Sequence, residues 1–127
     1  MGTWALDPFG NDSACDWAFG LAQAHDLAFI KNTIEDALNS SDYSYEAIAA
    51  IDTIARLKGR FYEKNPYTEP VDKWVAQHPL TVPPELIISA NKVLDKVLEE
   101  ESELWGETDE DYDEFAQQIH DLKTRIS

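Results

Sequence analysis

Asp7, Asp12 and Asp16 stand close together in "WALDPFGNDSACDW", the stretch from Trp4 to Trp17. Carboxylates are hard oxygen donors, so three of them at one helix start could share a divalent cation such as Mg²⁺. The same residues have a plainer use. Asn11, Asp12 and Ser13 are all good N-caps, Ser13 with Asp16 forms a weak capping-box variant, and acids at a helix start match the positive end of its dipole. The second use is preferred: Pro8 fixes a turn, Asn11 to Ser13 cap the first helix, and Trp4, Phe9 and Trp17 anchor the terminus to the core. Trp4, Pro8, Phe9, Asn11, Asp12, Asp16 and Trp17 then form a structural motif, a clasp. A metal-dependent enzyme or binder centred on the three aspartates is the alternative.

Other chemistry has less to stand on. His25, His78 and His120 occur singly in unrelated settings, with no H-E-x-x-H or Cys/His cluster to suggest zinc. Nucleophilic catalysis needs an activated Ser, Thr or Cys beside a base, and no G-x-S-x-G context exists. Cys15 cannot form an internal disulfide and reads as an inert buried thiol. There is no Gly-rich phosphate loop, and no cofactor is implied. Between Arg56 and Trp74, the bases Arg56, Lys58, Arg60, Lys64 and Lys73 mix with Phe61, Tyr62, Tyr67 and Trp74, a combination that can stack on and neutralise single-stranded nucleic acid. Glu63, Glu69 and Asp72 dilute its charge, and core packing is the preferred role.

The elements that must position these residues are helices. A first runs from near Asp12 or Ser13 to about Ala24, with Ala14, Trp17, Ala18 and Leu21 on one face. A second, Asp26 to Asn39, aligns Leu27, Ile30, Ile34, Ala37 and Leu38. A third, Ser44 to Lys58, aligns Ile48, Ile51, Ile54, Ala55 and Leu57; Arg56 and Lys58 suit the negative end of its dipole, and Gly59 suits a left-handed C′ position. A short helix starts at Pro70 and turns Val71, Trp74 and Val75 inward. A long helix that tolerates Pro83 and Pro84 in its first turn carries the clearest stripe, Leu86, Ile87, Ala90, Val93, Leu94, Val97 and Leu98. The last, Asp109 to Arg125, presents Tyr112, Phe115, Ala116, Ile119 and Leu122. No sustained strand alternation competes with these periods. The expected fold is all-α, a bundle of five or six helices in a single domain over residues 1–127.

The charge is uneven. Glu99, Glu100, Glu101, Glu103, Glu107, Asp109, Glu110, Asp111, Asp113 and Glu114 place ten acids in sixteen positions without a base. The remaining 111 residues hold 15 of the 25 acids and all 10 bases, a net of only −5 out of −15. Asp109 to Asp111 suit the start of the last helix, as Lys123 and Arg125 suit its end. Glu99, Glu100, Glu101 and Glu103 fall at the end of the preceding helix, where the dipole disfavours anions, and Glu99 with Glu103 is a like-charged i, i+4 pair. Helix stability does not ask for them. They serve either as a solvated face or as a patch for a basic partner. A continuous helix would carry one charge per about 2.4 Å, near the ~1.7 Å of duplex DNA, so a DNA mimic is a further reading, which Gly106 interrupts.

The totals narrow the partners. A net charge of −15 repels nucleic acid and anionic lipid and favours a basic protein. The N-terminus has no basic n-region and no apolar h-region, and no apolar run spans a bilayer, so a cytoplasmic protein is expected.

The opening residues also carry a resemblance. The pattern Met-Gly-x-Trp, then Pro8-Phe9-x-Asn11-Asp12-x-Ala14-x-Asp16-Trp17, resembles the bacterial family of domain of unknown function 4259. Members are similar over nearly the full length, with an alanine-rich middle helix like "EAIAAIDTIARLKGR" and a segment like Ser102-Glu103-Leu104-Trp105 before the last helix. The chain departs in having Asp7 where glycine usually precedes Pro-Phe, and Gly10 where an acid is common. The resemblance implies a one-domain bacterial protein and supplies no catalytic residue. The sequence thus leads to a cytosolic protein-binding domain rather than an enzyme, immunity- or antitoxin-like, whose partner surface is Glu99, Glu100, Glu101, Glu103, Glu107, Glu110 and Asp111. An acidic structural subunit that self-associates is the other non-enzymatic reading.

Overall fold

Ten consecutive residues, Ala47 to Arg56, are buried, which no surface helix can achieve. They belong to α3 (Tyr45–Leu57), and the other helices surround it: α1 (Asp12–Leu21), α2 (Ala28–Asn39), α4 (Glu69–Gln77), α5 (Pro84–Trp105) and α6 (Glu110–Ile126). Each of the five packs against α3. The computed structural model describes residues 12–39, 45–60, 69–78, 80–105 and 110–126, with side chains over 16–39, 46–60, 69–78, 80–99 and 116–126. Among the described residues there is no strand, and no helix is long and apolar enough to cross a membrane. The fold is an all-helical bundle, as the periodicity predicts.

The expected stripe on α3 is too narrow. Ile48, Ile51, Ile54 and Ala55 are buried, with Ala47 on the same face, but so are Ala49, Ala50, Asp52 and Thr53 around the other sides, while Leu57 is only half-buried. Alanine adds little hydrophobicity, yet its size lets neighbouring backbones close in from every direction. Thr53 is accommodated because its Oγ1 donates to the Ala49 carbonyl at 2.8 Å.

Around this axis the stripes behave as their spacing predicts. Trp17, Ala18 and Leu21 face inward from α1, and Ile30, Ile34 and Ala37 from α2. Val71 and Trp74 are buried on α4, and Leu86, Ala90, Val93, Leu94 and Val97 on α5. From α6 come Ile119, Leu122 and Ile126, each worth roughly 1.5–3 kcal/mol of apolar burial. The α3 terminus is a Schellman motif: Arg60 N–H donates to Ala55 O at 2.8 Å, Gly59 N–H to Arg56 O at 3.0 Å, and Gly59 sits at φ 79°. The α2 start is an Asx turn in which Asp26 Oδ1 accepts from Ala28 N–H at 2.9 Å, so the helix begins two residues later than Asp26.

Candidate functional site

Asp52 is an acid with no exposed surface, set in the middle of the central helix. A carboxylate there must be paired, and it is paired twice. Arg56, one turn along α3, donates Nε–H to Oδ2 at 2.7 Å, and Arg125 of α6 donates Nη1–H to Oδ1 at 2.7 Å. The ladder continues outward at both ends: Arg56 Nη1–H donates to Asp72 of α4 at 2.7 Å, and Arg125 Nε–H to Asp121 at 2.8 Å. Five charges, Asp72–Arg56–Asp52–Arg125–Asp121, therefore alternate in sign from α4 through the core to α6. Burial opposes the charge on Arg56, but Asp52 and Asp72 outweigh it and hold the guanidinium above the usual arginine value. This ladder fixes helices against one another, with Asp52 and Arg56 enclosed at its centre and Asp121 half exposed at one end.

Other bases also turn back onto the bundle. Lys58 Nζ donates to Ile126 O at 2.7 Å, and Lys96 Nζ to Ala37 O at 3.0 Å, each satisfying a carbonyl at a helix end. Lys123 pairs with Asp95 between α6 and α5. Asp52, Arg56 and Arg125 together carry +1, so of the chain's −15 the other residues hold −16. Among the described residues Asp52 is the one buried acid.

A model of the Domain of unknown function (DUF4259) matches residues 2–118. The chain belongs to that family. No curated protein and no solved structure matches it.

In this DUF4259 chain the sequence-predicted residues divide by location. α5 runs on to Trp105, so Glu99, Glu100, Glu101 and Glu103 occupy its C-terminal turns, and α6 begins at Glu110, with Asp111 following. Glu99 is exposed. Glu107 and the side chains of Glu100, Glu101, Glu103, Glu110 and Asp111 lie outside the described residues. So do Trp4, Pro8, Phe9 and Asn11, and the side chains of Asp12 and Cys15. Asp16 is exposed on α1. Trp17 is 5% exposed, stacks on Phe29 with ring centroids 5.2 Å apart, and donates Nε1–H to Thr33 Oγ1 at 2.8 Å. A Cβ at Gly20 would stand 2.9 Å from the tip of the Phe29 ring, so a larger residue there requires that ring to shift.

Arg56 and Trp74 take the core-packing role preferred for their segment, since both are buried with internal partners, while Phe61, Tyr62, Lys64 and Tyr67 lie outside the described residues. Two expectations are corrected. Arg125 is more than a dipole partner at the end of α6, because it reaches inward to Asp52. The histidines are not all in unrelated settings: the rings of His25 and His78 lie 6.5 Å apart. The ladder itself was missed by periodicity. Its one legible signal is an acid in "AIAAIDTIAR" followed by an arginine at i+4, inside an otherwise apolar run.

Proposed function

We propose that the chain is a cytosolic protein-binding domain, immunity- or antitoxin-like, which neutralises a basic protein through Glu99, Glu100, Glu101, Glu103, Glu107, Glu110 and Asp111. One observation carries the reading. Four glutamates fall on the final turns of α5, at the negative end of its dipole, where anions cost stability. Acids kept against the local electrostatics call for a use beyond folding. The inward commitment of Lys58, Lys96, Arg56 and Arg125 supports it further, since those bases serve the bundle and leave the acidic excess to act outward. Such a field speeds encounter with a basic partner and weakens with salt.

An immunity protein is encoded beside its toxin. Expressing the product of the neighbouring gene alone and together with this chain tests the proposal. A basic product that arrests growth alone and is silent in the pair supports it; toxicity unaffected by co-expression contradicts it.

A further inference from the structure

Trp74 Nε1–H donates to Ala24 O at 3.0 Å, fastening the connection after α1 to α4. The next residue, His25, is thereby held near the end of α4. There His78 stacks on Trp74, with ring centroids 4.7 Å apart and planes 19° from parallel. The two imidazoles stand with centroids 6.5 Å apart and planes inclined by 48°. His78 Nδ1 lies 2.9 Å from the Trp74 carbonyl oxygen. That oxygen can only accept, so Nδ1 carries the proton and Nε2 of the neutral ring keeps its lone pair.

This is how a metal-binding imidazole is prepared: one ring nitrogen is spent on a carbonyl, which fixes the tautomer and aims the other. A metal ion 2.0–2.1 Å from one nitrogen of each ring sets two centroids roughly 5–6.5 Å apart, depending on the angle at the metal. The observed spacing matches a near-linear angle, so for the tetrahedral angle of Zn²⁺ the two rings must close by about 1 Å. His25 is exposed and His78 half-buried, so the pair is reached from solvent and His25 has room to close on an ion.

We propose that His25 and His78 form a two-imidazole site for a first-row transition-metal ion of the Zn²⁺ or Cu²⁺ class, with Trp74 as a positioning residue. Among the described residues no group of three His, Cys, Asp or Glu side chains could hold a metal, so water completes the coordination. The ion would clip the connection after α1 to the end of α4. Imidazole preference separates this site from the acidic surface, whose carboxylates favour hard cations such as Mg²⁺.

Titrating Zn²⁺ into the full chain by calorimetry, while following the imidazole NMR signals, tests the assignment. One Zn²⁺ should bind per chain, moving the His25 and His78 signals together and leaving His120 in place, and Mg²⁺ should move neither ring of the pair. His25→Ala and His78→Ala should each weaken binding by at least about tenfold. Zn²⁺ should also raise the melting temperature of the wild-type chain but not of His25→Ala. His25 is exposed, so His25→Ala keeps the test valid even where His78→Ala unfolds. Unmoved rings, movement of one ring alone, or undiminished affinity in His25→Ala would overturn the proposal, the last by making carboxylates the ligands.

Discussion

Asp52 and Arg125 are 73 positions apart in the chain and share a 2.7 Å ion pair inside the bundle. The contact ties the last turn of α6 to the middle of the central helix. With Arg56 on its other oxygen, Asp52 is the point through which α3, α4 and α6 are held in one arrangement.

Removing Asp52 leaves two buried guanidinium groups facing each other without their shared anion. Asp52→Ala should therefore cost about 3–5 kcal/mol in urea unfolding. Replacing Asp52, Arg56 and Arg125 together by Leu, Met and Met should recover most of that loss, because the desolvation cost of all three charges disappears with them. A triple variant less stable than Asp52→Ala would show that the ladder contributes net energy as well as geometry.

The raised value at Arg56 has a defined consequence for pH. A base held above its usual value stabilises the fold at every pH below the ordinary arginine range, and that stabilisation fades only as pH rises through the raised value, in strong alkali. Between about pH 6 and 9 the stability difference between wild type and Arg56→Met should be flat. Unfolding curves across that range check this, and a slope would mean that another group titrates with it.

How much of this was legible in the sequence depends on which force decided each feature. The helices were, because apolar residues at i, i+3 and i+4 and a glycine at position 59 act through local geometry. The encirclement of α3 was not. Ala47, Ala49 and Ala50 carry too little hydrophobicity to mark a face, and only the surrounding helices show that their small size is the point. The Asp52 ladder was half legible: Arg56 follows at i+4, whereas Asp72 and Arg125 come from other helices. His25 and His78 meet only because Trp74 docks on Ala24 O, a contact spanning 50 positions. Of the family motif at the N-terminus only Asp16 and Trp17 have described side chains, and nine of the ten acidic side chains between Glu99 and Glu114 lie outside the described residues.

Trp17 offers a local test of the first helix. Its indole N–H is satisfied by Thr33 Oγ1, which itself donates to Phe29 O at 2.9 Å. Thr33→Val keeps the shape and removes the acceptor, leaving a donor stranded in a part-buried position at a cost of about 1–3 kcal/mol. Thr33→Ser should retain most of the stability. Equal losses in the two variants, measured by thermal or urea unfolding, would assign the role to the threonine methyl group instead.

The acidic end of α5 is proposed to bind a basic protein. The most direct measurement is the affinity for the partner found by co-expression, at low and moderate salt, for wild type and for Glu99→Lys, Glu100→Lys, Glu101→Lys and Glu103→Lys combined. Wild-type binding should weaken steeply with salt and be lost in the charge-reversed chain while its melting curve persists. Binding that ignores both salt and charge reversal would contradict the proposal.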